Sequence, residues 1–236
     1  RDRHTLYDVE TQIPAFFHIT EASVHDSKAM IEIPYEPGSY YIFDRGYNNF
    51  KMLNRIHLIE AYFVVRAKKN LQCKFIKWKR RLPKNVLSDA SVLLTGFYPK
   101  QYYPEPIRLV KYWDEEQERE FIFITNAMHI SALQVAELYK NRWQVELFFK
   151  WLKQHLRIKR FWGTTENAVR IQIYAAICTY CLVAIIQHDM QLDRSTYEVL
   201  QILSISLTDK THLKDLFDKT KFQNDKERFG PNGPSL

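Results

Sequence analysis

Glycine is scarce in this sequence, with only 6 residues among 236, and neither an internal repeat nor a low-complexity tract occurs. These absences exclude fibrous and repeat architectures. Apolar residues make up 46% of the sequence and charged residues 26%. A chain of this length and composition can bury a sizeable core, as one large domain or as a core with an insertion.

Cysteine is also scarce, and the count of 3 is odd. Together with the absence of a signal peptide, this predicts a reducing, cytoplasmic environment. Cys178 and Cys181 form a C-x-x-C pair, but no second Cys/His pair accompanies them. We therefore expect buried free thiols here and not a zinc or redox site.

A long uninterrupted apolar run is missing as well. The best candidate covers residues 171–186, but Tyr174, Thr179 and Tyr180 interrupt it. This stretch is short for a membrane span. We expect a soluble protein with one buried helix at this place.

Acidic residues are outnumbered, with 27 Asp and Glu against 34 Lys and Arg, for a net charge of +7. The excess favours polyanionic partners but is also common among ordinary proteins.

The first third of the chain predicts alternating strands and helices. Residues 4–9 and 13–19 read as a β-hairpin, and residues 61–67 as a later strand. Residues 40–43 form a continuous apolar run, which is typical of a strand buried on both faces. Asp44 follows directly, at the carboxyl end of the strand, where open α/β sheets carry their catalytic and binding residues. Alternatively, Asp44 caps the next helix, residues 48–58.

Asp26 is a weaker candidate acid. Ser23 and Asp26 have the spacing of a helix cap, which explains Asp26 more simply than metal binding.

The pattern changes between residues 68 and 128. This segment combines basic residues with Trp78 and four tyrosines, and strand-like runs cover residues 107–113 and 119–125. Such a mixture suits contact with DNA backbone and bases, or an ordinary small sheet with a solvated edge.

A helix over residues 131–156 is predicted next, because Ser131 and Gln134 form a capping box. At about 100° per residue, Tyr139, Arg142, Glu146 and Lys153 share one edge of this helix. The edge holds a carboxylate between two cations, which suits a site that binds metal and phosphate. An ordinary i,i+4 ion pair on the helix surface explains the same spacing.

The spacing Tyr139-x2-Arg142-x3-Glu146-x6-Lys153 resembles the Tyr-Arg-Glu-Lys signature of bacterial insertion-sequence transposases of the DDE type, the insertion-sequence-four family. Residues 42–47 are similar to the segment that holds the second catalytic Asp of that family. The resemblance covers most of residues 1–205.

The resemblance implies an α/β, ribonuclease H-like catalytic fold with its first strand missing. Residues 1–67 and 129–220 would be the two halves of the core, residues 68–128 a β-rich insertion, and residues 221–236 a disordered tail. Asp44 and Glu146 would be the catalytic residues and would bind Mg²⁺ or Mn²⁺, two ions in an intact site. The implied DNA contacts are Tyr139, Arg142, Trp143, Lys153, Arg157, Lys159 and Arg160.

The family has a third carboxylate on a strand that precedes the hairpin. Neither Asp2 nor Asp8 lies in a matching context. We therefore expect the first catalytic Asp to be absent, and this chain by itself to be inactive or nearly so.

Two further interpretations stay open. One is a DNA-binding remnant of a decayed transposase without catalysis; the other is an interaction domain with a surface ion pair, which does not explain Asp44. The implied partners are double-stranded DNA (terminal inverted repeats and target) and a second copy of the protein, in the bacterial cytoplasm at the nucleoid.

Overall fold

The structure is a computed structural model that describes residues 2–8, 10–11, 13–20, 29–156, 163, 165–206 and 210–217. The chain divides into two compact units, Arg1–Phe148 and Phe149–Leu236. Most of the expected helix near Asp26, Asp26 itself, Arg157, Lys159, Arg160 and the tail lie outside the described residues.

The first unit begins with the predicted hairpin. Strands β1 (Asp2–Asp8) and β2 (Ile13–Thr20) pair antiparallel. In the turn between them, the Asp8 carboxylate accepts hydrogen bonds from the backbone amides of Glu10 (2.9 Å) and Thr11 (3.4 Å). Asp8 therefore has a local structural role.

A six-stranded mixed sheet forms the centre of this unit. Its order is β3-β4-β8-β7-β6-β5, with β3 and β4 parallel and the other pairs antiparallel. The predicted α/β fold with a β-rich segment is confirmed, and that segment extends the sheet from β4 outwards. The strands are β3 (Tyr40–Phe43), β4 (Tyr62–Arg66), β5 (Cys73–Trp78), β6 (Val86–Leu94), β7 (Ile107–Asp114) and β8 (Arg119–Thr125).

Helices cover both faces of the sheet. On one face, α1 (Phe50–Leu58) contributes Met52, Leu53 and Ile56 to the larger core. On the other face, α3 (Ala132–Lys140) buries Val135 and Tyr139 against strands that include β4 and β8. A short helix α2 (Phe97–Tyr102) joins β6 to β7.

The predicted single helix over residues 131–156 is interrupted. The capping box at Ser131 is present, but α3 ends at Lys140 and a second helix, α4 (Trp143–His155), follows. Between them, the amides of Arg142, Gln144 and Val145 bond to carbonyls three residues earlier. This tighter turn changes the angle between successive side chains. The prediction that Tyr139 and Glu146 share one edge of a single continuous helix is therefore wrong.

The second unit contains the rest of α4 together with α5 (Glu166–Asp189) and α6 (Thr196–Ile205). Val183, Val199 and Phe217 form its small buried core. Ser195 and Glu198 form a capping box at the start of α6.

Helix α5 is longer and less buried than expected. With 24 residues it is long and apolar enough to cross a membrane by length and composition, a test that core helices of soluble proteins also pass. The helix is buried on one side only. Ile171 and Leu182, on its other side, are both 61% exposed. Cys178 is exposed and Cys181 is half-buried, so the expectation of two buried thiols is wrong.

Candidate active site

Asp44 lies immediately after β3, at the carboxyl end of two parallel strands. Its Oδ1 accepts a hydrogen bond of 2.7 Å from the Arg45 amide and so caps a 3₁₀ turn, Arg45–Tyr47. The next helix, α1, has its own cap, because Asn49 accepts a hydrogen bond from the Met52 amide. Asp44 is therefore not the cap of α1, and its Oδ2 accepts no hydrogen bond from the described part of the chain.

Tyr139 connects α3 to this carboxylate. Its hydroxyl donates a hydrogen bond of 3.1 Å to Asp44 Oδ1, from a position 95 residues later in the chain. The Tyr139 ring is buried against Phe121 and Phe123 of β8. Because the sheet side of α3 fixes this ring, the fold determines where its hydroxyl meets Asp44.

Arg142 lies between Asp44 and Glu146. Its Nη2 donates to Glu146 Oε1 at 2.6 Å, and its guanidinium carbon lies 5.9 Å from the centre of the Tyr139 ring. The charge of Arg142 also acts on Asp44. A chain of contacts thus runs from Asp44 through Tyr139 and Arg142 to Glu146, whose side chain is 65% exposed.

The pKa of Asp44 is lowered. Burial by itself raises the pKa, but hydrogen bonds from the Arg45 amide and the Tyr139 hydroxyl and the charges of Arg142 and Arg66 outweigh it. Burial and the nearby Asp44 charge raise the pKa of Tyr139, so Tyr139 stays a neutral hydroxyl donor. Asp44 is therefore an ionised carboxylate at neutral pH.

Arg66 is a residue of this site that the sequence analysis missed. Phe43 pairs with Val65 in the parallel β3–β4 ladder, so Arg66 lies beside Asp44 at the same strand ends. Its guanidinium carbon lies 4.9 Å from the centre of the Phe121 ring. Asn48 Nδ2 donates to the carbonyls of Arg45 and Arg66, at 2.8 Å each, and joins the two strand ends. The parallel pairing of the two predicted strands was the signal that would have located Arg66.

Two of the remaining predicted DNA contacts lie among the described residues. Trp143, the first residue of α4, is 48% exposed. Lys153 is exposed on α4, in the second unit.

The donor chemistry of the two acids suits a hard divalent cation. Glu146 Oε2, like Asp44 Oδ2, has no hydrogen-bond donor among the described residues, so each carboxylate keeps one oxygen for an ion. No group of three or more His, Cys, Asp or Glu side chains arranged to hold a metal occurs in the described ranges. Asp44 and Glu146 thus fit part of a metal site.

Comparison with known proteins shows the family of this chain. A family model described as the transposase DDE domain matches residues 1–182 of the chain. The chain belongs to this family. Divalent metal use is general in the DDE transposase domain.

Curated relatives of this DDE-domain chain bear transposase names. It is 35% identical over 209 residues to y4zB of Sinorhizobium fredii, covering 86% of this chain and 57% of that protein. It is 31% identical over 179 residues to a protein named for insertion sequence element IS5377 of Geobacillus stearothermophilus, covering 76% and 47%. For a protein named for element IS4SA of Synechocystis, the identity is 26% over 217 residues, covering 86% and 58%. The chain spans about half the length of these relatives.

Proposed function

We propose that this chain is the catalytic part of a DNA transposase that cuts phosphodiesters at insertion-sequence ends and joins those ends to target DNA. The observation that carries the proposal is the contact chain from Asp44 through Tyr139 and Arg142 to Glu146. Two acids that are far apart in the sequence thus flank one guanidinium. The match to the transposase DDE domain supports the same reaction class.

Asp44 and Glu146 would hold Mg²⁺ or Mn²⁺ through the carboxylate oxygens that no donor among the described residues occupies. When bound, such ions activate a water or a DNA 3′-hydroxyl and stabilise the leaving oxygen. The Arg45 amide, the Arg142 charge and the Tyr139 hydroxyl together lower the pKa of Asp44, and Tyr139 also orients its carboxylate through the bond to Oδ1.

Arg142 would bind a phosphate next to the cut site. The Nη2 atom of its guanidinium donates a hydrogen bond to Glu146. The remaining N–H groups can donate to phosphate oxygens. Arg66, whose charge also acts on Asp44, adds a second positive charge. Tyr139, Trp143, Lys153, Arg157, Lys159 and Arg160 stay proposed DNA contacts.

The substrates would be the terminal inverted repeats of an element and its target DNA, in a bacterial cytoplasm, with a homodimer holding two ends. The insertion-sequence-four subfamily is part of this proposal, on the strength of the Tyr-Arg-Glu-Lys spacing. The alternative is a DNA-binding remnant without catalysis, which the positive net charge would also favour.

Substitution of Glu146 by Gln tests the proposal. In the complete transposase polypeptide, Glu146→Gln removes an anionic ligand but keeps the size of the side chain. We expect metal-dependent nicking of an element-end duplex to fall by about 100-fold or more, while the affinity for that duplex changes little.

The matched control is Glu137→Gln, an exposed acid on α3, which should leave nicking intact. Nicking by Glu146→Gln at the wild-type rate would remove Glu146 from the catalytic set. A wild-type protein that binds the duplex but does not nick it would favour the non-catalytic remnant.

A further inference from the structure

Strand β5 forms one end of the six-stranded sheet and carries an unusual concentration of positive charge. Between residues 68 and 88 the sequence contains eight Lys or Arg and no Asp or Glu. We define the β5 strip as Lys74, Lys77, Arg80 and Arg81, which are all exposed. Lys74 and Lys77 lie on β5 itself, and the two arginines follow its end.

The charges of the β5 strip are not neutralised within the described structure. Neighbouring lysines have acidic partners: Lys79 pairs with Asp89 at 3.0 Å and Lys84 with Glu115 at 3.1 Å. No described acidic side chain lies within ion-pair distance of the strip residues. Four uncompensated cations at one edge of a sheet suit a polyanion with evenly spaced charges.

The strand register fixes the distance between the β5 strip and Asp44. A continuous row of paired residues crosses all six strands, from Trp78 through Ala90, Leu109, Ile124 and Val65 to Phe43. Trp78 and Phe43 therefore lie at the same level of the sheet. Five strand spacings of about 4.8 Å separate them by roughly 24 Å.

Lys77 of the strip and the acid also share one face of the sheet. The neighbouring row runs from Lys77 through Ser91, Arg108, Thr125 and Val64 to Ile42. Side chains two residues apart on a strand point to the same side, so Asp44 shares the face of Ile42. Its bond to Tyr139 of α3, which packs on that face, agrees.

We propose that the β5 strip binds the phosphate backbone of the same DNA duplex that is cut beside Asp44, at a second contact separated from the cut. This inference rests on the proposed function. Since successive base pairs rise about 3.4 Å along the DNA axis, roughly 24 Å along that axis places this contact about seven base pairs from the cut phosphodiester. Binding at this contact depends on charge and not on base sequence, because the backbone phosphates are the same at every base pair.

The acidic turn between β7 and β8 does not cancel the strip. Its residues include Glu115 and Glu116, and these pair with Lys84 and Lys140 respectively. These two acids therefore pair with lysines outside the strip and do not occupy the strip cations.

The salt dependence of DNA binding tests this inference. The probe is a mixed-sequence duplex of about 25 base pairs, and the variant is Lys77→Ala/Arg80→Ala/Arg81→Ala in the full chain. Three lost phosphate contacts should reduce the slope of log affinity against log salt by roughly 2.7. The affinity at about 0.1 M salt should fall about tenfold or more. On a duplex that the complete polypeptide nicks, hydroxyl-radical protection about seven base pairs from the nick should disappear.

Lys84→Ala is the matched control, because this lysine is equally exposed but already paired with Glu115. Its slope should stay at the wild-type value. Unchanged affinity and slope in the triple variant, or a wild-type chain that does not bind the duplex, would overturn the inference. A slope that falls as expected while Glu146→Gln still nicks would retain the strip and overturn only the catalytic assignment.

Discussion

At the scale of single residues, the bond between Tyr139 and Asp44 changes how the signature spacing is understood. The spacing predicted four side chains along one edge of one helix. Instead, Tyr139 is buried at the end of α3 and reaches the acid, whereas Glu146 lies exposed on α4. Arg142, in the turn between the helices, interacts with both acids. The tight turn places Arg142 near Tyr139 and Asp44, and its i,i+4 spacing from Glu146 gives the ion pair that the surface ion-pair interpretation predicted.

The Tyr139 hydroxyl should control the pH at which Asp44 works. Tyr139→Phe removes a donor that lowers the pKa of Asp44, so this pKa should rise. The acid limb of the nicking rate against pH should therefore move to higher pH, because a protonated carboxyl does not bind a cation well. Tyr102→Phe, on an exposed tyrosine of α2, is the control. Coincident acid limbs for Tyr139→Phe and the wild type would contradict the role of this hydroxyl.

Tyr139→Phe should also change how the free energy of unfolding depends on pH. A carboxyl with a lowered pKa stabilises the fold above its unfolded value of about 3.9, and this contribution is lost as the pH falls through the folded pKa. Tyr139→Phe should therefore lower the free energy of unfolding at neutral pH by more than in strong acid. Urea unfolding at several pH values measures the difference.

At the scale of elements, the sequence predicted those segments whose own residues determine them. Strand β3 has the predicted bounds, because its apolar run begins after the Pro37-Gly38 turn and ends at a charged residue. The capping boxes at Ser131 and Ser195 are local hydrogen-bond patterns, and both are present. Strand β5 was not predicted, since it is an exposed edge strand with a bulge and lacks a clear alternation.

The interruption between α3 and α4 could not be predicted from periodicity, because apolar residues recur through it without a glycine or proline. The proximity of Asp44 to Tyr139 depends on how α3 packs on the sheet, which is a long-range property. The metal ligands and DNA contacts stay predictions that rest on the family signature.

A buried ion pair fastens the centre of the sheet to the start of α3. The Arg108 guanidinium, 2% exposed, donates to both carboxylate oxygens of Asp89, at 2.7 and 2.8 Å. Its Nη1 donates to the carbonyls of Ala127 and Ile130, just before the Ser131 cap. One side chain thus joins β6, β7 and the segment that leads into α3.

Breaking this pair should destabilise the first unit strongly. Asp89→Asn leaves the Arg108 charge buried without its counter-ion, and we expect a loss of about 3–5 kcal/mol in the free energy of unfolding. Glu115→Gln breaks the exposed pair with Lys84. It should lower the free energy of unfolding by less than about 1 kcal/mol. Urea denaturation of both variants compares them directly, and equal losses would contradict the structural role of Arg108.

At the scale of the whole molecule, each of the two units contains a buried hydrophobic cluster. Ile124 belongs to the core of the first unit, Val199 belongs to that of the second, and both are fully buried. Each core therefore stabilises its own set of elements.

Core truncations should accordingly have effects that are largest within their own unit. Ile124→Ala should cost about 2–5 kcal/mol and lower hydrogen-exchange protection most strongly in the sheet. Val199→Ala should lower protection most strongly in α5 and α6. Hydrogen exchange followed by mass spectrometry resolves these segments. An equal loss of protection throughout the chain from either variant would show a single cooperative unit instead.

In the proposed DNA complex, the antiparallel strands beyond β4 would set the distance between the β5 strip and the cut. Each added hairpin would move the outer edge by two strand widths, about 10 Å, which is close to three base pairs of DNA. A change in the number of these strands would therefore lengthen or shorten the stretch of duplex held alongside the cut, without altering any residue around Asp44. The length of DNA that such a protein contacts would then depend on the number of strands in its sheet.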